Sequence, residues 1–151
     1  MKLSEILSEK NIISDLRSRG REEVISELLD PIMEEVSEPK TALQKILLER
    51  EKQSPTVMND WVAVPHGRIP RLDRFHLGVG RSKQGLDFGG ENGPTKIFFL
   101  MVGPGDDTFN HLKLLARIAR VCRSGSFKED LLAARDAGEI YARIIMEDGR
   151  V

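Results

Sequence analysis

Several features of secreted and membrane proteins are missing from this sequence. The 151 residues include one cysteine, Cys122, so no disulfide can form within the chain. No apolar run approaches the roughly 18 residues that suggest a membrane span. Residues Met1 to Ser8 are charged and lack the apolar segment of a signal peptide. We therefore predict a cytoplasmic protein without direct membrane insertion.

An excess of charge of either sign is also lacking. The chain has 23 Lys and Arg residues against 24 Asp and Glu residues, for a net charge of −1. This balance gives no electrostatic reason to expect nucleic acid or an anionic membrane as a partner. Internal repeats and linkers rich in Pro or Gly are missing as well. We predict a single domain covering residues 1–151, a length that can bury a core of its own.

The spacing of apolar residues predicts most of the helices. Between Arg21 and Val36 these residues recur one, three, one and three positions apart, as on one face of a helix. Before it, we predict a short helix over Leu3–Asn11 and a short strand over Ile12–Leu16. Thr41 is predicted to cap the next helix, which extends to about Lys52. Further helices are predicted from Asp107 or Thr108 to about Cys122, over Phe127–Ala134 and over Ala137–Ile145.

Three further segments have the pattern of strands. Trp61–Val64 is short and apolar, and Phe75–Gly80 alternates between apolar and other residues. Ile97–Val102 is a continuous apolar run, which is typical of a strand buried on both faces. Residues 65–70 and 83–93 are predicted as connecting segments. Strands interleaved with helices predict an α/β domain with a mostly parallel or mixed sheet.

Two polar residues continue apolar helix faces. Arg50 follows Ile46 and Leu47 on their stripe, and His111 begins the stripe that continues with Leu114. Arg50 could simply extend its charged head into water, and His111 could be a hydrogen-bonded core residue. Alternatively, Arg50 would direct its forked donors into a cleft that holds an anion. His111 would lie in the first turn of a helix after a buried strand, where α/β proteins receive phosphate.

His66 is the third candidate, and it follows an apolar strand and a proline. Pro65 restricts the backbone, Gly67 permits close approach, and Arg68 adds a positive charge. This arrangement suits a nucleophile that must meet a phosphoryl group, although Pro-His-Gly alone is a weak signal. His76 lies within a strand and is predicted to be structural or exposed. A metal site formed by the three histidines is the alternative, but their spacing matches no compact ligand pattern.

Three segments together identify a resemblance to a known family. These are Leu47-Leu48-Glu49-Arg50-Glu51, Val62-Ala63-Val64-Pro65-His66 and His111-Leu112-Lys113-Leu114-Leu115. The chain resembles the enzyme IIA domain of the fructose–mannitol class of the bacterial phosphotransferase system, which includes a nitrogen-related regulatory member. The resemblance implies an α/β fold with a mixed, mainly parallel sheet of about five strands, flanked by helices on both faces. It also implies that His66 accepts the phosphoryl group, that His111 and Arg50 support it, and that no cofactor or metal is needed.

The chain departs from the family pattern just before the His66 segment. Family members usually have Ser-Thr followed by glycines there. Thr56 fits this pattern, but Asn59 and Trp61 stand where glycines are usual. Asn59 is expected to preserve the turn, because Asn tolerates left-handed backbone better than most residues. Trp61 is not expected to imitate glycine, and is predicted to alter the rim of the site or to form part of a partner surface.

The resemblance also implies partners. The phosphoryl donor would be the phosphocarrier HPr or its nitrogen-branch equivalent. The acceptor would be a cysteine of an enzyme IIB domain, or the phosphorylation state would control binding to a regulatory target protein. The chain ends at Val151 without a IIB or membrane domain, which slightly favours the regulatory role. The alternative hypothesis is a regulatory binding module that keeps the fold and has lost the relay chemistry.

Overall fold

The computed structural model describes residues 1–58, 61–90 and 93–151. Two short 3-10 turns cover Leu3–Glu5 and Met33–Glu35. The strands in these ranges are β1 (Leu7–Ile13), β2 (Val62–Ala63), β3 (His66–Ile69), β4 (His76–Leu86) and β5 (Thr95–Pro104). The helices are α1 (Arg21–Ile32), α2 (Lys40–Gln53), α3 (Thr108–Cys122), α4 (Phe127–Ala133) and α5 (Ala137–Asp148).

The five strands form one mixed sheet. Its order is β1-β4-β5-β2, and β3 also pairs with β5. β1 is parallel to β4, and both β2 and β3 are parallel to β5. The long β4–β5 pair is antiparallel. The α/β prediction and the mixed sheet are confirmed.

β2 and β3 act as one interrupted edge strand. Val62 lies opposite Ile97 and His66 lies opposite Met101, so the register is unchanged across the interruption. Pro65 lies within the interruption, and its carbonyl accepts a hydrogen bond from the Met101 N–H at 3.0 Å. A proline lacks an N–H, and an edge strand tolerates that loss. A connecting segment was predicted over residues 65–70, and this was wrong for 66–69. These four residues are too few, and include a glycine, to show the alternation of apolar residues that marks a strand. They form a strand because they pair with β5.

Helices cover both faces of the sheet, and β5 shows how. Its side chains alternate, so that Phe98, Leu100 and Val102 belong to one core and Phe99 and Met101 to the other. The first core is closed by α1 and α2, and the second by α3, α4 and α5. The prediction that this run is buried on both faces is confirmed. Each fully buried large side chain contributes roughly 1.5–3 kcal/mol.

The N-terminal segment differs from its prediction. The helix expected over Leu3–Asn11 is wrong, because only Leu3–Glu5 is helical and β1 already begins at Leu7. The strand expected over Ile12–Leu16 therefore starts earlier and ends at Ile13. Leu3 and Leu7 are both buried. They are four positions apart, which is also the spacing of residues on one face of a helix. Parallel pairing of Leu7 with Leu77 on β4 decides the outcome, since tertiary pairing overrides local propensity.

Some predicted boundaries also changed. Thr41 does not cap α2, which begins at Lys40 after Pro39; the fixed φ of proline suits the position before a helix. Asp107 is the cap of α3, as predicted, and accepts a hydrogen bond from the Asn110 N–H at 3.1 Å. The turn predicted from Lys83 is shorter, because β4 continues to Leu86. Within the described ranges, the helices are all too short or too polar to cross a bilayer.

Candidate active site

A groove runs along the edge strand between α2 and α3. It brings together the three residues singled out from the sequence: Arg50 near the end of α2, His66 at the start of β3 and His111 in the first turn of α3. Arg68 of β3 and Leu112 of α3 also line it. The remaining lining residues are Ile46, Glu49, Gln53, Gly67, Pro70, Gly105, Thr108 and Leu115.

Gly67 allows α2 to approach the edge strand closely. A Cβ atom at this position would lie 3.1 Å from a methyl of Ile46 and 3.4 Å from one of Leu47. Any side chain here would therefore push α2 away from β3. Because successive strand residues point to opposite faces, the same geometry directs the neighbouring His66 to the side of α3. The glycine thus keeps Arg50, at the end of α2, close to the histidine.

The His66 ring is oriented by the backbone. Its Nδ1 atom lies 2.7 Å from the carbonyl oxygen of Val64. A carbonyl only accepts hydrogen bonds, so Nδ1 must carry the proton and Nε2 holds the free lone pair. Burial lowers the pKa of His66, the Val64 hydrogen bond raises it, and Arg50 lowers it further. The ring is therefore held neutral, with its free lone pair on Nε2.

His111 lies beside this ring. The two imidazole centroids are 5.6 Å apart and their planes are tilted by 56°. Burial, followed by His66 and Arg68, lowers the pKa of His111 to about 4. Its Nδ1 atom is buried and, within the described part of the chain, has no hydrogen-bond partner. Because His111 lines the groove, its neutral ring can hydrogen-bond a bound group there but supplies no charge.

Two arginines supply positive charge to the groove. Arg50 donates from Nη1 to the Ser54 carbonyl at 2.8 Å, which ties the guanidinium to the end of α2. Arg68 donates to the hydroxyl of Thr108, the first residue of α3. Arginine presents several donors in a fixed fork, and can use one on the protein while others bind phosphoryl oxygens. Arg68 had been noted from the sequence as a cation, but not as a site residue.

Sequence analysis missed a buried pair behind His66. Glu51 is 1% exposed, and its carboxylate accepts hydrogen bonds from the Thr56 N–H at 3.0 Å and from the Thr56 hydroxyl. A signal for Glu51 was available. It lies four residues after Leu47, which lies four after Leu43, so it continues a fully buried helix stripe.

The structure decides the expectation about the backbone of Trp61. Trp61 adopts φ +74, so the expectation that it could not take a glycine conformation was wrong. Its carbonyl accepts from the N–H groups of Lys96 and Ile97, and these bonds hold the strained backbone. The indole lies beneath the Lys96 ammonium at 5.0 Å and is not among the groove residues of the described chain. The matching expectation for Asn59 lies outside the described residues.

His76 is separate from the other two histidines. It is buried on β4, with Nδ1 3.6 Å from a carboxylate oxygen of Glu35. The structural interpretation of His76 fits this position. Among residues 1–58, 61–90 and 93–151, groups of three metal-ligating side chains do not occur. A site built from all three histidines therefore has no geometric basis.

Several known proteins are similar to this chain. A curated nitrogen regulatory protein of Bradyrhizobium diazoefficiens is 32% identical over 143 residues, covering 94% of each chain. The fructose-specific EIIABC component of Bacillus subtilis is 26% identical over 151 residues, which are 98% of this chain and 24% of that protein. The crystal structure of nitrogen regulatory protein IIA-Ntr from Neisseria meningitidis has a TM-score of 0.88 at 24% identity, covering 94% of this chain and 98% of that one.

A second solved structure shares the fold at greater distance. The IIA mannitol structure from Escherichia coli has a TM-score of 0.74 at 22% identity, covering 91% of this chain and 98% of that one. The profile of the family described as phosphoenolpyruvate-dependent sugar phosphotransferase system, EIIA 2, matches residues 5–147. The chain therefore belongs to the EIIA type 2 family of the phosphotransferase system.

Proposed function

We propose that this chain is a phosphoryl carrier that accepts a phosphoryl group on Nε2 of His66. The observation that supports it most is the hydrogen bond between His66 Nδ1 and the Val64 carbonyl at 2.7 Å. It fixes the tautomer whose Nε2 lone pair is free to attack phosphorus. The donor would be an HPr-type phosphocarrier or its nitrogen-branch equivalent, and the reaction would take place in the cytoplasm.

The step needs positioning and charge neutralisation more than covalent help. The Nε2 lone pair attacks the phosphorus of the donor's phosphohistidine, and the donor's N–P bond breaks with its electron pair returning to the donor nitrogen. His66 keeps its Nδ1 proton, so its ring becomes a phosphorylated imidazolium. The transition state is loose, with charge spread over the phosphoryl oxygens. Arg50, Arg68 and His111 surround the groove and would hold those oxygens.

The surface next to the groove suits a protein donor. Phe109 and Leu112 of α3 are 68% and 61% exposed. Leu112 lines the groove itself. Neighbouring large apolar side chains that are this exposed usually mark an interaction site. They would give a phosphocarrier an apolar contact beside the reacting histidine, while the groove arginines meet the phosphoryl group.

The test is direct phosphorylation. The chain is incubated with phosphoenolpyruvate, enzyme I and HPr, and the acid-labile phosphate is located by mass spectrometry. Wild type and His76→Ala, which changes a histidine outside the groove, should be labelled, and His66→Ala should not. Equal labelling of wild type and His66→Ala would show that His66 is not the acceptor. If the wild type itself is not labelled, the chain is a binding module without relay chemistry.

A regulatory role is the second candidate, and one finding favours it. The relative that matches at 32% identity over 94% of both chains is named a nitrogen regulatory protein, whereas the fructose-specific relative is 26% identical. Phosphorylation of His66 would then control binding to a target protein. Phosphorylated chain should be mixed with purified fructose and mannitol IIB domains. Rapid transfer to the cysteine of either would establish sugar transport, and lack of transfer to both would favour regulation.

A further inference from the structure

A chain of hydrogen bonds connects a buried carboxylate to the back of His66. Glu51 accepts from the Thr56 N–H at 3.0 Å. The Thr56 carbonyl accepts from the Val64 N–H at 3.0 Å, and the Val64 carbonyl faces His66 Nδ1 at 2.7 Å. Within Thr56 and within Val64, the N–H and the carbonyl belong to successive peptide units joined at the Cα atom, so this path fixes the backbone orientation. The carboxylate is thus connected to the reactive ring through two intervening residues.

The burial of Glu51 calls for a reason beyond packing. The residue is 1% exposed, and its nearest helix neighbours on the same stripe are Leu43 and Leu47. Removing a carboxylate from water is costly even when it is hydrogen-bonded. Thr56 satisfies both oxygens with its N–H and its hydroxyl. A neutral side chain of similar size could fill the space, so the charge itself is the feature to explain.

We propose that Glu51 is a positioning residue that keeps the Nδ1 proton on His66 and stabilises the positive ring formed when Nε2 is phosphorylated. This inference rests on the proposed function of His66. Thr56 and Val64 transmit the orientation by hydrogen bonds, and the buried charge acts across a region of low polarity. Glu51 would therefore control how readily His66 takes up a phosphoryl group and releases it again.

The electrostatic balance around His66 supports this role. Burial and Arg50 lower the pKa of His66, whereas the Val64 hydrogen bond and Glu51 raise it. His111, on α3, is the neighbouring titratable group, and Arg68 of β3 acts on His111. Glu51 is the acidic side chain that acts on His66 in the described chain. It opposes Arg50, which binds the phosphoryl side of the site but disfavours a positive ring.

The chemistry explains why such a balance is useful. The phosphorylated ring carries its Nδ1 proton and a positive charge, and the N–P bond breaks readily because the leaving nitrogen returns as a neutral imidazole. Loss of the Nδ1 proton would leave a neutral phosphoimidazole, whose departing nitrogen would be an anion. A carrier must release its phosphoryl group, so the proton has to stay. The nearby carboxylate makes its loss unfavourable.

The experiment compares Glu51→Gln with wild type. Glutamine keeps the size and can still accept from the Thr56 N–H, so the fold is preserved. NMR titration of the unphosphorylated chain should show a lower pKa for His66 in Glu51→Gln than in wild type. Phosphoryl acceptance from HPr and release to an acceptor should each slow by roughly threefold to tenfold. Glu129→Gln removes an exposed carboxylate on α4 and should change neither.

Two further variants separate charge from structural support. Glu51→Asp keeps the charge and should leave the His66 titration near that of wild type. Thr56→Val removes the Thr56 hydroxyl but not the Glu51 carboxylate, and the pKa of His66 should again stay near that of the wild type. If Glu51→Gln titrates like wild type, or if all three variants slow transfer without moving the titration, the proposal is overturned. The titration needs no phosphorylated protein, so it stays decisive even where labelling shows that His66 accepts no phosphoryl group.

Discussion

The ring of His111 lies 5.6 Å from the ring of His66, centroid to centroid, in the first turn of a helix whose first residue is hydrogen-bonded to Arg68. His111 is 6% exposed, and its pKa is lowered to about 4. Two histidines this close would repel each other if both were protonated. The pair is instead arranged as two neutral rings, and the proton of His66 lies on Nδ1, where it faces the Val64 carbonyl.

This arrangement predicts a dependence of stability on pH. The unfolded His111 binds its proton near pH 6.5, whereas the folded one does so near pH 4. Between these values the unfolded chain holds more protons, so the free energy of unfolding should fall as the pH drops from about 6.5 towards 4. The contribution of His111 should be on the order of 2 to 3 kcal/mol. Urea denaturation at a series of pH values measures it.

The matched control for this prediction is His111→Gln, which keeps a polar side chain but does not titrate. Its stability should be less sensitive to pH over the same interval than that of the wild type. If both proteins lose stability equally between pH 6.5 and 4, the loss comes from other groups and the neutral pair is not supported.

Arg50 should matter for the rate of phosphoryl transfer through both its charge and its shape. Arg50→Gln removes the charge, and we expect acceptance from HPr to slow by roughly tenfold to a hundredfold. Arg50→Lys keeps the charge but lacks the fork that would bind a phosphoryl group while Nη1 donates to the Ser54 carbonyl. Its rate should therefore fall between those of Arg50→Gln and the wild type. Initial rates of labelling measure the effect. A Lys variant as fast as wild type would reduce the role of Arg50 to simple charge.

Trp61 should carry a backbone cost that glycine would remove. A non-glycine residue in the left-handed region costs roughly 1–2 kcal/mol, and Trp61 has φ +74. Trp61→Gly and Trp61→Ala both lose the contact between the indole and Lys96. The difference between their free energies of unfolding therefore reports the cost of the backbone conformation alone. Trp61→Gly should be more stable than Trp61→Ala by about 1 kcal/mol in chemical denaturation. Equal stabilities would mean that the alanine variant changes its backbone conformation.

Arg81 should be among the most sensitive structural positions. It is 1% exposed on β4 and donates to the carbonyls of Ser14 and Leu131 at 2.9 Å, and to that of Ala134. These bonds hold the end of α4 to the sheet. Arg81→Met should lower the free energy of unfolding by roughly 3 kcal/mol or more, because it leaves buried carbonyls unpaired. Arg120→Met, at an exposed position of α3, should change stability by less than about 1 kcal/mol.

The sequence predicted the parts of this fold that have a strong period. The helices α1 and α3 and the buried run of β5 follow from apolar spacing alone. Apolar spacing could not predict β1 and β3, because these segments are strands only through pairing with a neighbouring strand. Leu7 of β1 pairs with β4, and residues 66–69 of β3 pair with β5. Such pairing depends on residues far away in the chain, which a local pattern does not report.

The same distinction applies to the candidate site. Arg50 and His111 stood out because a polar side chain continued an apolar stripe, and the structure brings both to the groove of His66. Glu51 satisfied the same criterion after Leu43 and Leu47, but its partner Thr56 lies beyond the end of α2. Its use became visible only when the backbone path from Thr56 through Val64 to His66 was known.

The burial of Cys122 has a practical consequence. Its thiol lies in the core beneath α3, and burial raises its pKa to about 12. Because the thiolate is the form that reacts, maleimides and spin-label reagents should leave the native protein unmodified at neutral pH. A cysteine introduced on the rim of the groove would then be the one reactive thiol of the molecule. Fluorophores or paramagnetic probes could report docking of a phosphocarrier on an otherwise unaltered background.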